Sequence, residues 1–97
     1  MIEHIVLFKV KAGTPASAVH AMIDGLAGLR TRVPGIVALS VGTNFTDRNK
    51  GFTHGLVVRF QDRAALDAYL PHPAHQEVVT NFVRPIIDDV IALDYEV

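Results

Sequence analysis

Hydrophobic positions along the chain change period several times, and each change marks an element. From Ile2 to Lys11 the side chains are mostly β-branched, aromatic or aliphatic, and the run ends at Ala12-Gly13-Thr14-Pro15, which predicts a first strand. Alternation gives it one face of Ile2, His4, Val6, Phe8 and Val10 and another of Glu3, Ile5, Leu7, Lys9 and Lys11, so both faces are apolar at mid-strand. Val19, Met22, Ile23, Leu26 and Leu29 then recur at three- and four-residue spacing, predicting a helix with Thr14 as N-cap, Pro15 as first helical residue and an end near Arg32. Pro34-Gly35 stops it. A second strand is predicted over Ile36 to Val41, with Val37, Leu39 and Val41 on one side, and a third over Thr53 to Gln61, with His54, Leu56, Val58 and Phe60 on one face. The polar stretch from Gly42 to Gly51 connects them. Asp62 caps a short helix carrying Leu66, Tyr69 and Leu70, Pro71 and Pro73 interrupt it, and a further helical segment runs from Ala74 to about Val83. The last strand, Val90 to Val97, sets Val90, Ala92 and Asp94 against Ile91, Leu93, Tyr95 and Val97.

The order β-α-β-β-α-β predicts a single α+β domain over residues 1–97: a ferredoxin-like sandwich of a four-stranded antiparallel sheet with helices on one face. In that arrangement the first and last strands are neighbours near the centre of the sheet. If His4, Val6, Phe8 and Asp94 look towards the helices, Ile5, Leu7, Ile91, Leu93 and Tyr95 look away from them. Each large side chain there forgoes roughly 1.5–3 kcal/mol of transfer free energy by staying wet, which argues for a cover. A second copy of the chain is the expected partner, as a twofold homodimer joined through the open sheet face.

Composition narrows the chemistry. Nine Lys+Arg against ten Asp+Glu leave a net charge of −1, without the basic footprint of a nucleic-acid binder or a membrane-surface protein. The absence of cysteine excludes disulfides, a thiolate nucleophile and sulfur-ligated zinc, and fits a cytoplasmic setting. The first apolar run is broken by Lys9 and Lys11, so it reads as neither signal peptide nor membrane span. No metal site is expected, because His72 and His75 lack a third ligand at diagnostic spacing.

The five histidines carry the remaining information. In Tyr69-Leu70-Pro71-His72-Pro73-Ala74-His75, prolines on both sides of His72 fix a bend and push His72 out of the α region, so that side chains can be aimed inward. His4, His54 and Asp94 fall on the helix-facing side, and antiparallel pairing of the first and last strands brings His4 to Asp94. Imidazoles, a phenol and a carboxylate beneath helices are a set suited to general acid/base work.

The segments His4-Ile5-Val6-Leu7-Phe8-Lys9, Val33-Pro34-Gly35-Ile36, Gly51-Phe52-Thr53-His54-Gly55 and Tyr69-Leu70-Pro71-His72-Pro73-Ala74-His75-Gln76 resemble the stress-responsive A/B barrel domain family. The resemblance covers essentially the whole chain and implies a dimeric α+β barrel. Within that family it extends to the plant polyketide cyclase branch of olivetolic acid cyclase, which carries out a cofactor-free intramolecular aldol condensation with a His base and a nearby Tyr. By position those roles fall on His75 and Tyr69, with His4, His54, His72 and Asp94 as polar groups around the pocket. Val6, Phe8 and Leu56 would floor that pocket. Met22, Ile23 and Leu26 would roof it; where the cyclase has a tyrosine on the first helix and a tryptophan before the last strand, this chain places Met22, Ile23, Leu26 and Ile87. The implied ligand is a small apolar carbonyl compound, and an enzyme of this kind would be a cofactor-free lyase, cyclase or isomerase. Two other readings stay open: a noncatalytic stress-related or ligand-binding dimer, and a cofactor-independent monooxygenase of the wider dimeric barrel superfamily.

Overall fold

In a computed structural model covering residues 1–97, strands β1 (Ile2–Val10), β2 (Ile36–Thr43), β3 (His54–Phe60) and β4 (Ile87–Glu96) form one antiparallel sheet in the order β2-β3-β1-β4. Helices α1 (Ala16–Arg32), α2 (Arg63–Tyr69) and α3 (Pro73–Val78) cover one face. A π-helical turn at Val79–Val83 and a 3₁₀ turn at Arg84–Ile86 link α3 to β4. This is the ferredoxin-like α+β fold. No helix is long and apolar enough to cross a membrane.

The core lies between the helices and the inner face of the sheet. Ile2, Val6, Phe8, Leu56, Val58 and Phe60 project from the strands against Met22, Leu26 and Leu29 of α1, with Tyr69, Val78 and Val83 closing it from the second helical region. On the outer face Leu7, Val57, Ile91, Leu93 and Tyr95 remain 38–60% exposed. An ion pair between Glu3 and Arg59 borders this apolar area. Two-faced apolarity of β1 thus has a structural counterpart: one face is packed, the other open.

Several local expectations shift. β4 is an edge strand rather than a central one, because β1 is shared between β3 and β4 and the centre falls to β1 and β3. It begins at Ile87, three residues before Val90, where the 3₁₀ turn ends. Thr14 does not cap α1. Its hydroxyl donates instead to the Lys11 carbonyl at 2.7 Å, tightening the preceding turn, and Pro15 takes the cap position. Val37 does not share a side with Leu39 and Val41; a bulge between Ile36 and Ala38 inserts one residue, so Ile36, Leu39 and Val41 pack on the core while Val37 is exposed.

Gly35 makes the turn from α1 into β2 with φ +87°, and a Cβ there would lie 2.7 Å from the Cβ of Ala65 on α2. Gly28, inside α1, has open space around the same position. Gly35→Ala should therefore lower unfolding free energy by about 2 kcal/mol or more, from left-handed strain plus the clash. Gly28→Ala should raise it by roughly 0.5–1 kcal/mol through helix propensity. Urea denaturation of the two variants checks the contrast.

Candidate functional site

The bent segment between α2 and α3 is built by local hydrogen bonding. Asp62 caps α2 by accepting from the Ala65 N–H at 2.9 Å, which fixes the helix phase and turns Tyr69 into the core at its last position. Pro71 and Pro73 stop the helix from continuing. His72 is held extended at φ −59° and ψ 135°, and its Nδ1 accepts the Ala74 N–H at 3.0 Å, so its ring serves as the N-cap of α3. Past the bend, the Leu70 carbonyl accepts two side-chain donors: His75 Nδ1–H at 2.9 Å and the Gln76 amide at 2.8 Å. A carbonyl can only accept, so the His75 proton sits on Nδ1 and the lone pair on Nε2.

A cavity of about 290 Å³ lies between this segment and the inner face of β1, β3 and β4. Val6, Phe8, Leu26, Leu56, Val79 and Val83 give it apolar walls, and His4, Tyr69 and His75 its polar end. The Tyr69 ring packs 4.3 Å from His75, 5.0 Å from Phe60 and 5.9 Å from His4, centre to centre. Tyr69 is fully buried and its hydroxyl has no hydrogen-bond partner. Burial pushes that phenol up to about 12, so it remains a proton donor at neutral pH. His75 moves the other way: burial, outweighing its bond to Leu70 and reinforced by the nearby His4 and His72, lowers it below 6.5 and keeps the ring neutral. On the floor, β1–β4 pairing sets His4 opposite Asp94, with His4 Nδ1 2.5 Å from an Asp94 carboxylate oxygen. That contact orients the imidazole.

Of the residues singled out from sequence, His4, Val6, Phe8, Leu26, Leu56, Tyr69 and His75 meet around this cavity. Others do not. His54 pairs with Phe8 rather than with the His4 position, four residues and roughly 13 Å away along the strand. Its Nδ1 meets the Thr53 hydroxyl at 2.7 Å, and burial lowers its pKa. His72 is occupied by its cap, and Asp94 supports His4 without lining the wall. Met22 is fully buried core and Ile23 packs against that core, because α1 presents only Leu26 to the opening. Ile87 lies on the lining as the resemblance implies, and Leu70, Val79, Val83, Arg84 and Val90 complete it. Val90 was legible by alternation with Asp94. Val83 and Arg84 were not, since an Arg84 N–H to Val79 carbonyl bond inserts one residue into the helical turn and rotates the residues after it.

The Stress Responsive A/B Barrel Domain profile matches residues 2–97. The chain belongs to this family. A stress-response A/B barrel domain-containing protein of Arabidopsis thaliana is 34% identical over 95 residues; these span 98% of the chain but only 36% of that longer relative. Among solved structures, that of At3g17210 from Arabidopsis thaliana superposes with a TM-score of 0.89 at 28% identity, covering 100% of this chain and 95% of the other. A dimeric ferredoxin-like protein from Jannaschia sp. CCS1 is 29% identical with a TM-score of 0.77, over 99% of this chain and 98% of that one. The bent proline-bracketed segment and the His4–Asp94 pair thus sit within an A/B barrel framework.

The site's electrostatics set two expectations. His54 and His75 bind protons more weakly folded than unfolded, so their contribution to stability is complete above about pH 6.5 and is lost as pH falls through their lowered values. Urea midpoints should drop between pH 7.5 and 5, and His75→Gln should flatten that dependence. Tyr69→Phe removes a hydroxyl that has no partner, so it should leave stability unchanged or raise it by about 1 kcal/mol in the same assay.

Proposed function

We propose that this A/B barrel domain holds a small, mostly apolar carbonyl compound in the cavity beneath its bent segment and moves a proton on it without a cofactor. The observation carrying this reading is the buried, unpartnered hydroxyl of Tyr69, whose ring packs against that of His75, with a lone pair on the His75 Nε2, on the lining of a mostly apolar chamber. A chamber of about 290 Å³ suits a small molecule rather than a polymer. Two functions divide between the two groups. Nε2 of His75 takes a proton from a carbon next to a carbonyl, or between two of them. The Tyr69 O–H donates to the carbonyl oxygen as negative charge grows there. The resulting enolate either attacks a second carbonyl in the same molecule, closing a ring as that C=O π bond opens to an alkoxide which takes back the proton held on His75, or is reprotonated by His75 at another carbon. Those outcomes correspond to a polyketide cyclase-like lyase and an isomerase. His4, fixed by Asp94, lines the chamber beside the Tyr69 ring and helps bind the oxygen-bearing end.

The working form in this reading is a homodimer through the open sheet face. Support comes from the exposed apolar row Leu7, Ile91, Leu93 and Tyr95 and from the Jannaschia neighbour, described as dimeric at 29% identity. Leu93→Arg should convert the assembly to monomers in sedimentation velocity while leaving the far-UV circular dichroism spectrum intact.

Proton transfer is tested with apolar ketones and 1,3-diketones in D₂O, following deuterium uptake at the carbon by mass spectrometry. The protein should accelerate uptake above the buffer rate. His75→Ala should reduce the acceleration by about 100-fold or more, and Tyr69→Phe by at least roughly 10-fold. A noncatalytic binding protein gives a different result: ketones raise the melting temperature, yet uptake in wild type equals buffer.

A further inference from the structure

Arg84 is the one cation on the lining of the cavity apart from the histidines, and no Asp or Glu shares that lining with it. It stands on the rim with the exposed Leu70 and Val90, at the open side between the π turn and β4. Three arginines are held by carboxylates, Arg32 by Glu77, Arg59 by Glu3 and Arg63 by Glu96, whereas Arg30, Arg48 and Arg84 are not, and of these only Arg84 lines the cavity. The Asp89 carboxylate, on β4, accepts from the Val90 N–H of its own strand at 2.9 Å. The extra residue of the π turn rotates the backbone so that Val83 turns into the chamber and Arg84 comes next, at its mouth. An exposed planar cation, apolar walls, and a phenol with an imidazole share one lining, and together they describe a receptor for a molecule that carries two polar groups on an apolar frame.

We infer that Arg84 is a specificity-determining residue that anchors a carboxylate, so that the ligand is an apolar keto acid: its carbonyl reaches Tyr69 and His75 while its carboxylate stays at the mouth. This rests on the carbonyl-binding reading above and adds the class of the second group. A guanidinium fork binds a carboxylate through two parallel, charge-assisted N–H···O bonds, and the carboxylate keeps one side towards solvent, so its desolvation cost stays small. Arg84 positions the molecule and takes no part in the proton transfer.

The probes are 7-oxooctanoate, which carries a ketone and a carboxylate at opposite ends of a short apolar chain, and its methyl ester, which keeps the ketone and loses the charge. Titration calorimetry on the full chain should show the acid binding about 10-fold more tightly than the ester. About 0.5 M NaCl should erode the acid's advantage and leave the ester unaffected. Arg84→Gln should bring the two probes to equal affinity, and Arg84→Lys should restore part of the difference. Tyr69→Phe should weaken both probes alike. Equal binding of acid and ester to wild type, or a preference that survives Arg84→Gln, overturns the anchoring role; if the ester still binds in a Tyr69-dependent way, the carbonyl reading stands without it. Failure of both probes to bind overturns both readings.

Discussion

The Leu70 carbonyl is the point on which the site turns. A helix carried on through residues 70–74 would hold that oxygen in its own ladder, and Tyr69 and His75 would lie on different sides of it. Prolines at 71 and 73 break the ladder, and the freed acceptor is taken up by His75 and Gln76 from the far side of the bend. One hydrogen-bonding oxygen thereby does three things. It folds α3 back, sets the His75 tautomer, and brings the imidazole within 4.3 Å of the Tyr69 ring. His72, capping α3 with its own ring nitrogen, locks the same bend from within.

The fold then supplies the environment that makes these groups useful. Burial pushes Tyr69 and His75 in opposite directions, raising the acid and lowering the base, because in each case the charged form is the one that loses solvation. A neutral imidazole beside a protonated phenol is the combination that abstracts a proton and supports an oxyanion near neutral pH. The apolar walls come mostly from residues that any α+β sandwich would bury. What separates a chamber from a filled core here is the linkage between α3 and β4. Its π turn spends an additional residue on one turn and puts Val79, Val83 and Arg84 along the lining.

Periodicity and punctuation made much of this legible. The alternation in β1 and β3 and the three-and-four spacing in α1 identified the elements, and the two apolar faces of β1 identified a sheet with an open side. Residues brought to the cavity lining by a strand face or by the prolines, namely His4, Val6, Phe8, Leu56, Tyr69 and His75, are legible as neighbours in the chain. Errors arose where position along an element mattered in addition to its face. His54 shares a face with Leu56 and Val58 but lies at the far end of the strand, opposite Phe8. Met22 and Ile23 share a helix with Leu26, yet only Leu26 reaches the opening. The bulge at Val37 and the π turn each slip the pattern by one residue, and composition carries no mark of either.

The sequence by itself determined the four strands and the main helices, their order, the hydrophobic faces of β1, β3 and α1 and the break at Pro71 and Pro73, because these depend on side-chain period and on the missing proline N–H, properties that act over a few residues. Only the tertiary structure decided which residues meet. Strand register placed Asp94 against His4 and moved His54 away, and packing left the Tyr69 hydroxyl buried without a partner. It also carried Arg84 to the rim of the chamber. Those outcomes are set by non-local contacts between segments far apart in the chain, where a shift of one residue changes what a side chain touches while leaving its local pattern the same.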